Sequence, residues 1–236
     1  MSHSVEHVLK ILNQMGDPKI AAHSQRFFKT GKGEYAEGDQ FLGIRVPVLR
    51  KLARDYRDIS IDDASQILTS PFHEARLFAL ILLVNYYKRA SIEEKKCIYE
   101  SYLDNTQYIN NWDLVDSSAE HIVGAYLDNQ NKMPLYQLAK STNMWERRIA
   151  MLSTFHYIKK YQFEDALNVC SQLLFDTEDL IHKAVGWMLR EIGKRDIDKE
   201  EAFLKKYYRQ MPRTMLRYAI EKFPEKKRIG YLKGEV

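Results

Sequence analysis

Along nearly the whole chain of 236 residues, apolar positions recur at helical spacing, three or four apart, rather than alternating. Residues 5–15 read as a first amphipathic helix, stopped at Gly16-Asp17-Pro18. A second runs from Pro18, a residue suited to a first helical turn, to Lys29. The stretch 30–40, TGKGEYAEGDQ, breaks the pattern, and its glycines at 31, 33 and 38 suit a turn or a small β-hairpin. Pro47 opens a helix through Tyr56. Ser60 and Asp63 have the spacing of a capping box, with Asp in place of Glu, ahead of a helix over 61–69. The apolar run 73–88 is too long for a strand and reads as a buried helix. Ser91, with Glu94 three positions on, caps a helix over 92–103.

Overlaying the buried helices exposes a repeat. The segments 73–89, 111–127, 145–160, 181–195 and 216–223 each begin with a polar or basic residue and continue as an apolar run. Anchored on Arg76, Asp113, Arg148, Lys183 and Arg217, they step by 37, 35, 35 and 34 residues. Shorter amphipathic helices lie between them, at 92–103, 133–140, 162–174 and 198–208. A two-helix unit of this period is the length of a HEAT, armadillo or tetratricopeptide repeat. Such a unit cannot bury its apolar face alone and must stack on its neighbours. The expected fold is all-α: one superhelical solenoid of HEAT-like pairs over 1–236, with a small β-hairpin near 30–40. The starts of the second helices, with Asp113, Asp116, Arg148, Lys183 and Arg217, would then line one concave face. An all-helical bundle would scatter them.

Composition fits this picture and narrows the function. With 45% hydrophobic and 12% aromatic residues the chain is not disordered, and a chain of this length buries roughly 70% of its surface. Two cysteines, Cys97 and Cys170, make no disulfide framework and read as buried free thiols. No apolar run is long enough to span a bilayer, and the start lacks a signal-peptide core; the expected location is cytoplasmic, on the nucleoid when bound to DNA. The net charge of +4 decides nothing by itself, but its placement is uneven. Residues 205–236 hold ten Lys or Arg against three Glu, interleaved with Tyr207, Tyr208, Tyr218 and Tyr231. That pattern suits either a solvated tail or a clamp on a phosphate backbone.

No metal-ligand spacing, phosphate-binding loop or cofactor motif occurs. His73, His121, His156 and His182 stand singly on helices and read as structural or solvated. The informative stretch is NWDLVDSS, 111–118. Trp112 and Asp116 are four apart on one helical face, and Asp113 lies near it. Asp113 could serve the first turn and Trp112 could be a core anchor. A carboxylate in an otherwise apolar helix is costly unless paired, which makes Asp116 a functional candidate. Arg148 and Trp187 occupy the next two repeats. Together they suggest a site for a developing positive charge beside a phosphate.

The segments FLGIRVP (41–47), NWDLVDS (111–117), WERRIAML (145–152) and HKAVGWMLRE (182–191) together resemble the bacterial DNA alkylation repair family of HEAT-like repeat glycosylases, the AlkD-like proteins, over essentially the whole chain. The resemblance implies a helical solenoid that wraps duplex DNA and removes cationic alkylpurines, such as 3-methyladenine and 7-methylguanine, without flipping the base. By motif, the catalytic aspartate falls on Asp116, the tryptophans beside the sugar on Trp112 and Trp187, and the phosphate-contacting arginine on Arg148. An N-terminal aromatic falls on Phe27. Phe27, Asp113, Lys183, Arg190, Arg213 and Arg217 are the further positions expected to contact DNA. No cofactor, metal, membrane or obligate protein partner is implied. The chain departs from the pattern twice: Asn111 replaces a tryptophan, and roughly GKGEYAEGD is inserted before FLGI. The insertion is similar to the AlkF-like branch, whose added hairpin goes with binding of branched DNA. The remaining alternatives are therefore a non-catalytic DNA binder and a protein-binding helical scaffold.

Overall fold

The computed structural model describes residues 4–236, which pack as two compact units, one up to Ser118 and one over Ala119–Val236. Among the described residues there is no β-strand, only helices joined by turns and one isolated parallel bridge, Gln40 with Phe72. Each unit is a stack of HEAT-like helix pairs.

The first unit contains α1 (Val5–Gln14), α2 (Pro18–Phe27), α3 (Val46–Asp55), α4 (Ile61–Leu68), α5 (His73–Tyr87), α6 (Ile92–Asp104) and α7 (Trp112–Asp116). Side-chain oxygens of Ser4, Asp17, Ser60 and Ser91 accept the first free N–H groups of α1, α2, α4 and α6. Ser91 and Glu94 form a full capping box. At α4 the shorter Asp63 carboxylate takes the Ser60 hydroxyl instead, at 2.7 Å. Helix α5 is apolar on nearly every side because α3, α4, α6 and α7 all pack on it.

The sequence FLGI has a clear cause. Gly43 has φ +86°, and a Cβ there would overlap the backbone at Asp17 and Ala21. The turn aims the N–H groups of Leu42, Gly43 and Ile44 at the buried Glu74 carboxylate, at 2.8, 2.7 and 3.2 Å. Three such bonds compensate the burial of that charge.

Of the turn or small hairpin expected near 30–40, the turn is what forms, without a hairpin. Glu34 and Glu37 fold back and take the N–H groups of Gly31 (2.9 Å) and Gly33 (2.7 Å), groups a strand ladder would need. With Gly33 and Gly38 at positive φ, the segment is a string of turns. Cys97 is also corrected: it is exposed, on the outer side of α6, whereas Cys170 is buried.

The second unit contains a π-turn (Glu120–Gly124), α8 (Ala125–Leu127), α9 (Met133–Leu138), α10 (Met144–Ser153), α11 (Phe155–Ile158), α12 (Glu164–Gln172), α13 (Asp179–Gly193), α14 (Ile197–Tyr207), α15 (Arg213–Ala219) and α16 (Glu225–Lys233). Helix α13 is its centre, packed by α10, α11, α12, α14 and α15. The run 145–160, one helix by pattern, breaks at Thr154. There Ser153 and Thr154 hydroxyls bond back to the Ile149 and Met151 carbonyls, both at 2.6 Å.

The repeat also shows a one-residue register shift. Arg76 donates to the carbonyls six and five residues before it, Ser70 and Pro71 (both 3.1 Å). The residue that does the same in the second unit is Arg147, toward Ser141 and Thr142 (both 3.0 Å), rather than Arg148. No described helix is long and apolar enough to cross a membrane.

Candidate active site and nucleic-acid interface

In the first unit the fold gathers Phe27, Trp112, Asp113 and Asp116. The short helix α7 carries the last three. It begins at Asn111, which is fully buried and whose Oδ1 accepts the Trp112 N–H at 2.8 Å. Ser118 locks the chain just beyond its other end, donating to the Leu114 carbonyl (2.6 Å) and so accepting from the buried Tyr102 hydroxyl (2.9 Å). Between these two fixed points Trp112 and Asp116 are both half-buried.

Trp112 has an aromatic floor that sequence reasoning missed. Phe28 stacks on it at 5.4 Å between ring centres, and Phe28 stacks in turn on Phe41 at 5.1 Å. Phe27, 57% exposed, meets Trp112 edge-on at 6.1 Å. Offset and edge contacts of this kind hold a ring in one orientation.

Beneath the rings lies a buried chain of charged groups. Asp113 Oδ2 is 2.8 Å from His73 Nε2, and His73 Nδ1 is 3.4 Å from Asp39 Oδ2. Asp39 also accepts from Arg76 (2.8 Å), Asn110 (3.2 Å) and Asn111 (3.5 Å). Burial alone would raise the Asp39 pKa, but the His73 hydrogen bond and the Arg76 charge hold it below the usual carboxylate range. The inserted segment, which ends at Asp39, and the unusual Asn111 are thus in contact. The one sequence hint was the cluster His73-Glu74-Arg76 heading the most apolar helix of the chain.

In the second unit Lys183, Trp187 and Arg190 follow one another along one face of α13. Trp187 is half-buried; its Nε1–H donates to Glu191 (3.3 Å) and its ring lies 5.9 Å from Phe155. Glu191 also accepts from Lys194 (2.6 Å) and Arg195 (3.0 Å). Burial would raise its pKa, but these bonds hold it below the ordinary value. Arg148 is buried, 4% exposed, and donates to the Leu180 carbonyl at 2.5 Å. Lys183 pairs with Asp179 at 2.7 Å, and Arg190 pairs with Glu221. Arg213 is exposed and donates to the Leu232 carbonyl (2.6 Å). Arg217 is exposed and lines an open cleft of about 690 Å³ with Thr214, Tyr218, Glu221 and Arg228. Among the described residues no group of three His, Cys, Asp or Glu is placed to hold a metal ion.

A family model described as "DNA alkylation repair enzyme" matches residues 8–223. The chain belongs to this family. The AlkD-like resemblance carried by the four motifs and the family match agree. Solved structures of the same fold include a predicted DNA alkylation repair enzyme from Enterococcus faecalis (TM-score 0.68, 18% identity, covering 89% of this chain and 98% of that one). AlkD2 from Streptococcus mutans is similar at TM-score 0.56 and 19% identity, over 88% and 98% of the two chains. The protein smu.31 from Streptococcus mutans UA159 has the same score and identity over 91% and 100%. No curated protein matches the chain significantly.

Proposed function

We propose that this member of the DNA alkylation repair family is an N-glycosylase that hydrolyses the glycosidic bond of cationic alkylpurines, 3-methyladenine and 7-methylguanine, in duplex DNA without extruding the base. The observation that carries this reading is the half-buried Asp116 on the same short, doubly anchored helix as Trp112. Alkylation at a ring nitrogen gives the purine a positive charge and makes it a good leaving group. No general acid is then required. What remains is to stabilise the oxocarbenium-like sugar and to orient a water.

Asp116 is assigned both tasks. Trp112, backed by Phe28, and Trp187, oriented by Glu191, are assigned to pack on deoxyribose. Lys183, Arg190, Arg213 and Arg217 are assigned to phosphates, and Phe27 to the duplex surface. Arg148 is assigned to the backbone at the lesion by the motif resemblance; because it is 4% exposed and donates to the Leu180 carbonyl, that role requires it to exchange this bond for a phosphate. The string of turns at 30–39 weakens the link to the hairpin-bearing, branched-DNA-binding branch and so favours catalysis.

The test is release of free 7-methylguanine or 3-methyladenine from alkylated duplex, comparing wild type with Asp116→Asn. Release by wild type and a loss of about 100-fold or more in the variant is expected. No release by wild type overturns the enzyme reading, and tight binding of branched DNA in that case selects the binder. Equal release by both proteins overturns the role of Asp116.

A further inference from the structure

His73 is 2% exposed, yet both its ring nitrogens face carboxylate oxygens, Asp113 at 2.8 Å and Asp39 at 3.4 Å. A neutral imidazole has one N–H, so one of these carboxylates would meet a lone pair. The imidazolium donates to both. Charge balance leads to the same state: Arg76, Asp39 and Asp113 together carry −1, and a protonated His73 makes the buried group neutral. The rings of Phe41 and Phe28 lie 4.6 and 4.9 Å from the His73 ring, surroundings that favour a cation. The charged groups around it are Arg76 and Glu74 on its own helix, Asp39 from the segment before α3, and Asp113 from α7. Glu74 is already held by three backbone N–H groups.

We propose that His73 is an imidazolium clip that ties Asp113, in the first turn of α7, to Asp39 of the inserted segment, and thereby positions Trp112 and Asp116. The proposal rests on the glycosylase reading for what Trp112 and Asp116 do, but not for the existence of the clip. With the clip closed, the partly exposed Asp113 carboxylate beside Trp112 is neutralised and does not repel a phosphodiester. The same imidazole supports Phe28, on which Trp112 stacks. The insertion is then a structural part of the site rather than an appendage. Burial opposes charging of His73, but its bonds to Asp113 and Asp39 outweigh it and raise its pKa above 6.5. The clip is therefore closed in acid and opens as pH rises through the raised value.

Two experiments decide this on the full chain. In long-range proton–nitrogen spectra of histidine-labelled wild type, His73 is expected to show two protonated ring nitrogens at pH 6, below the ordinary imidazole value; a neutral tautomer there overturns the proposal. In duplex binding at fixed salt, His73→Gln is expected to weaken affinity about tenfold, because it strands Asp113. Adding Asp113→Asn to that variant is expected to restore affinity to within about threefold. A purely structural histidine would not be rescued in this way, so a double variant as weak as the single one overturns the clip. Wild-type affinity should also fall as His73 titrates, and His73→Gln should lose that dependence. If His73→Gln does not fold, Asp39→Asn serves in its place, with a downward shift of the His73 titration expected and an unchanged one overturning the proposal. If wild type binds no duplex, the glycosylase reading fails. The spectra and the urea stabilities of the same variants then judge the clip: stability regained in the double variant supports it, and stability not regained overturns it.

Discussion

Glu200 is the carboxylate least at home in this protein. It is 1% exposed on α14, wedged against Gly193 of α13 where any Cβ would overlap its carboxylate, and its Oε1 has no hydrogen-bond partner. Burial, reinforced by the charge of Glu201, pushes its pKa up to about 8, with Arg190 only partly opposing. In the unfolded chain the same group ionises near 4.5. Between those values the folded protein holds a proton that the unfolded chain has released, so the Glu200 contribution to stability falls as pH rises from 4.5 to 8 and is level outside that window. Glu200→Gln removes the titration. It is expected to exceed wild type in stability by on the order of 4 kcal/mol at pH 9 and to differ little near pH 4.5. Urea unfolding at the two pH values checks this; a gain that does not grow with pH refutes it.

Helix α7, at five residues, is too short to hold itself together, and its position is set from outside. Asn111 caps it, touches Asp39 and is fully buried. Asn111→Trp, which writes in the tryptophan that the AlkD-like resemblance implies at this position, would remove the cap and overfill a closed space. The expected loss is roughly 2–4 kcal/mol, read as a lowered urea midpoint, with base release falling alongside. A variant as stable as wild type would show that the inserted segment leaves room for the ring. The same region marks where sequence pattern stops being informative. Helices α5 and α13 were legible because continuous burial demands continuous apolar runs. The stretch 111–127 reads as one helix, but Ser118 bonds back to Leu114 and a π-turn follows at Glu120–Gly124, and no apolar period reports hydroxyl bonding. At 30–40 the pattern leaves turn and hairpin undecided, because glycines mark a reversal without saying whether Glu34 and Glu37 will take the freed N–H groups. Trp112 and Asp116 stood out as unusual types in an apolar helix. Asp39, His73 and Arg76 did not, since pairs 34 to 40 residues apart exist only once α5 has docked.

At the scale of the whole molecule the charge is divided unequally. The first unit has 15 basic and 16 acidic residues and the second has 21 and 16, so the excess that a DNA backbone could use lies in the second. Counting cations overstates the grip, because several are already engaged: Lys183 by Asp179, Arg190 by Glu221, Arg228 by Glu225. Binding duplex would exchange these carboxylates for phosphates. Two variants separate the available charge from the engaged charge. Arg217→Ala, at an exposed position, is expected to lower the slope of log affinity against log salt by about 1, since one phosphate contact fewer releases about one counterion fewer. Glu221→Gln is expected to strengthen duplex binding at low salt by about threefold, because Arg190 no longer has to leave a carboxylate; exposed pairs are worth little, so the gain is small. Titrations of one duplex at several salt concentrations measure both. An unchanged slope for Arg217→Ala would remove it from the phosphate contacts, and weaker binding by Glu221→Gln would mean that Glu221 holds Arg190 in its binding orientation instead of competing for it.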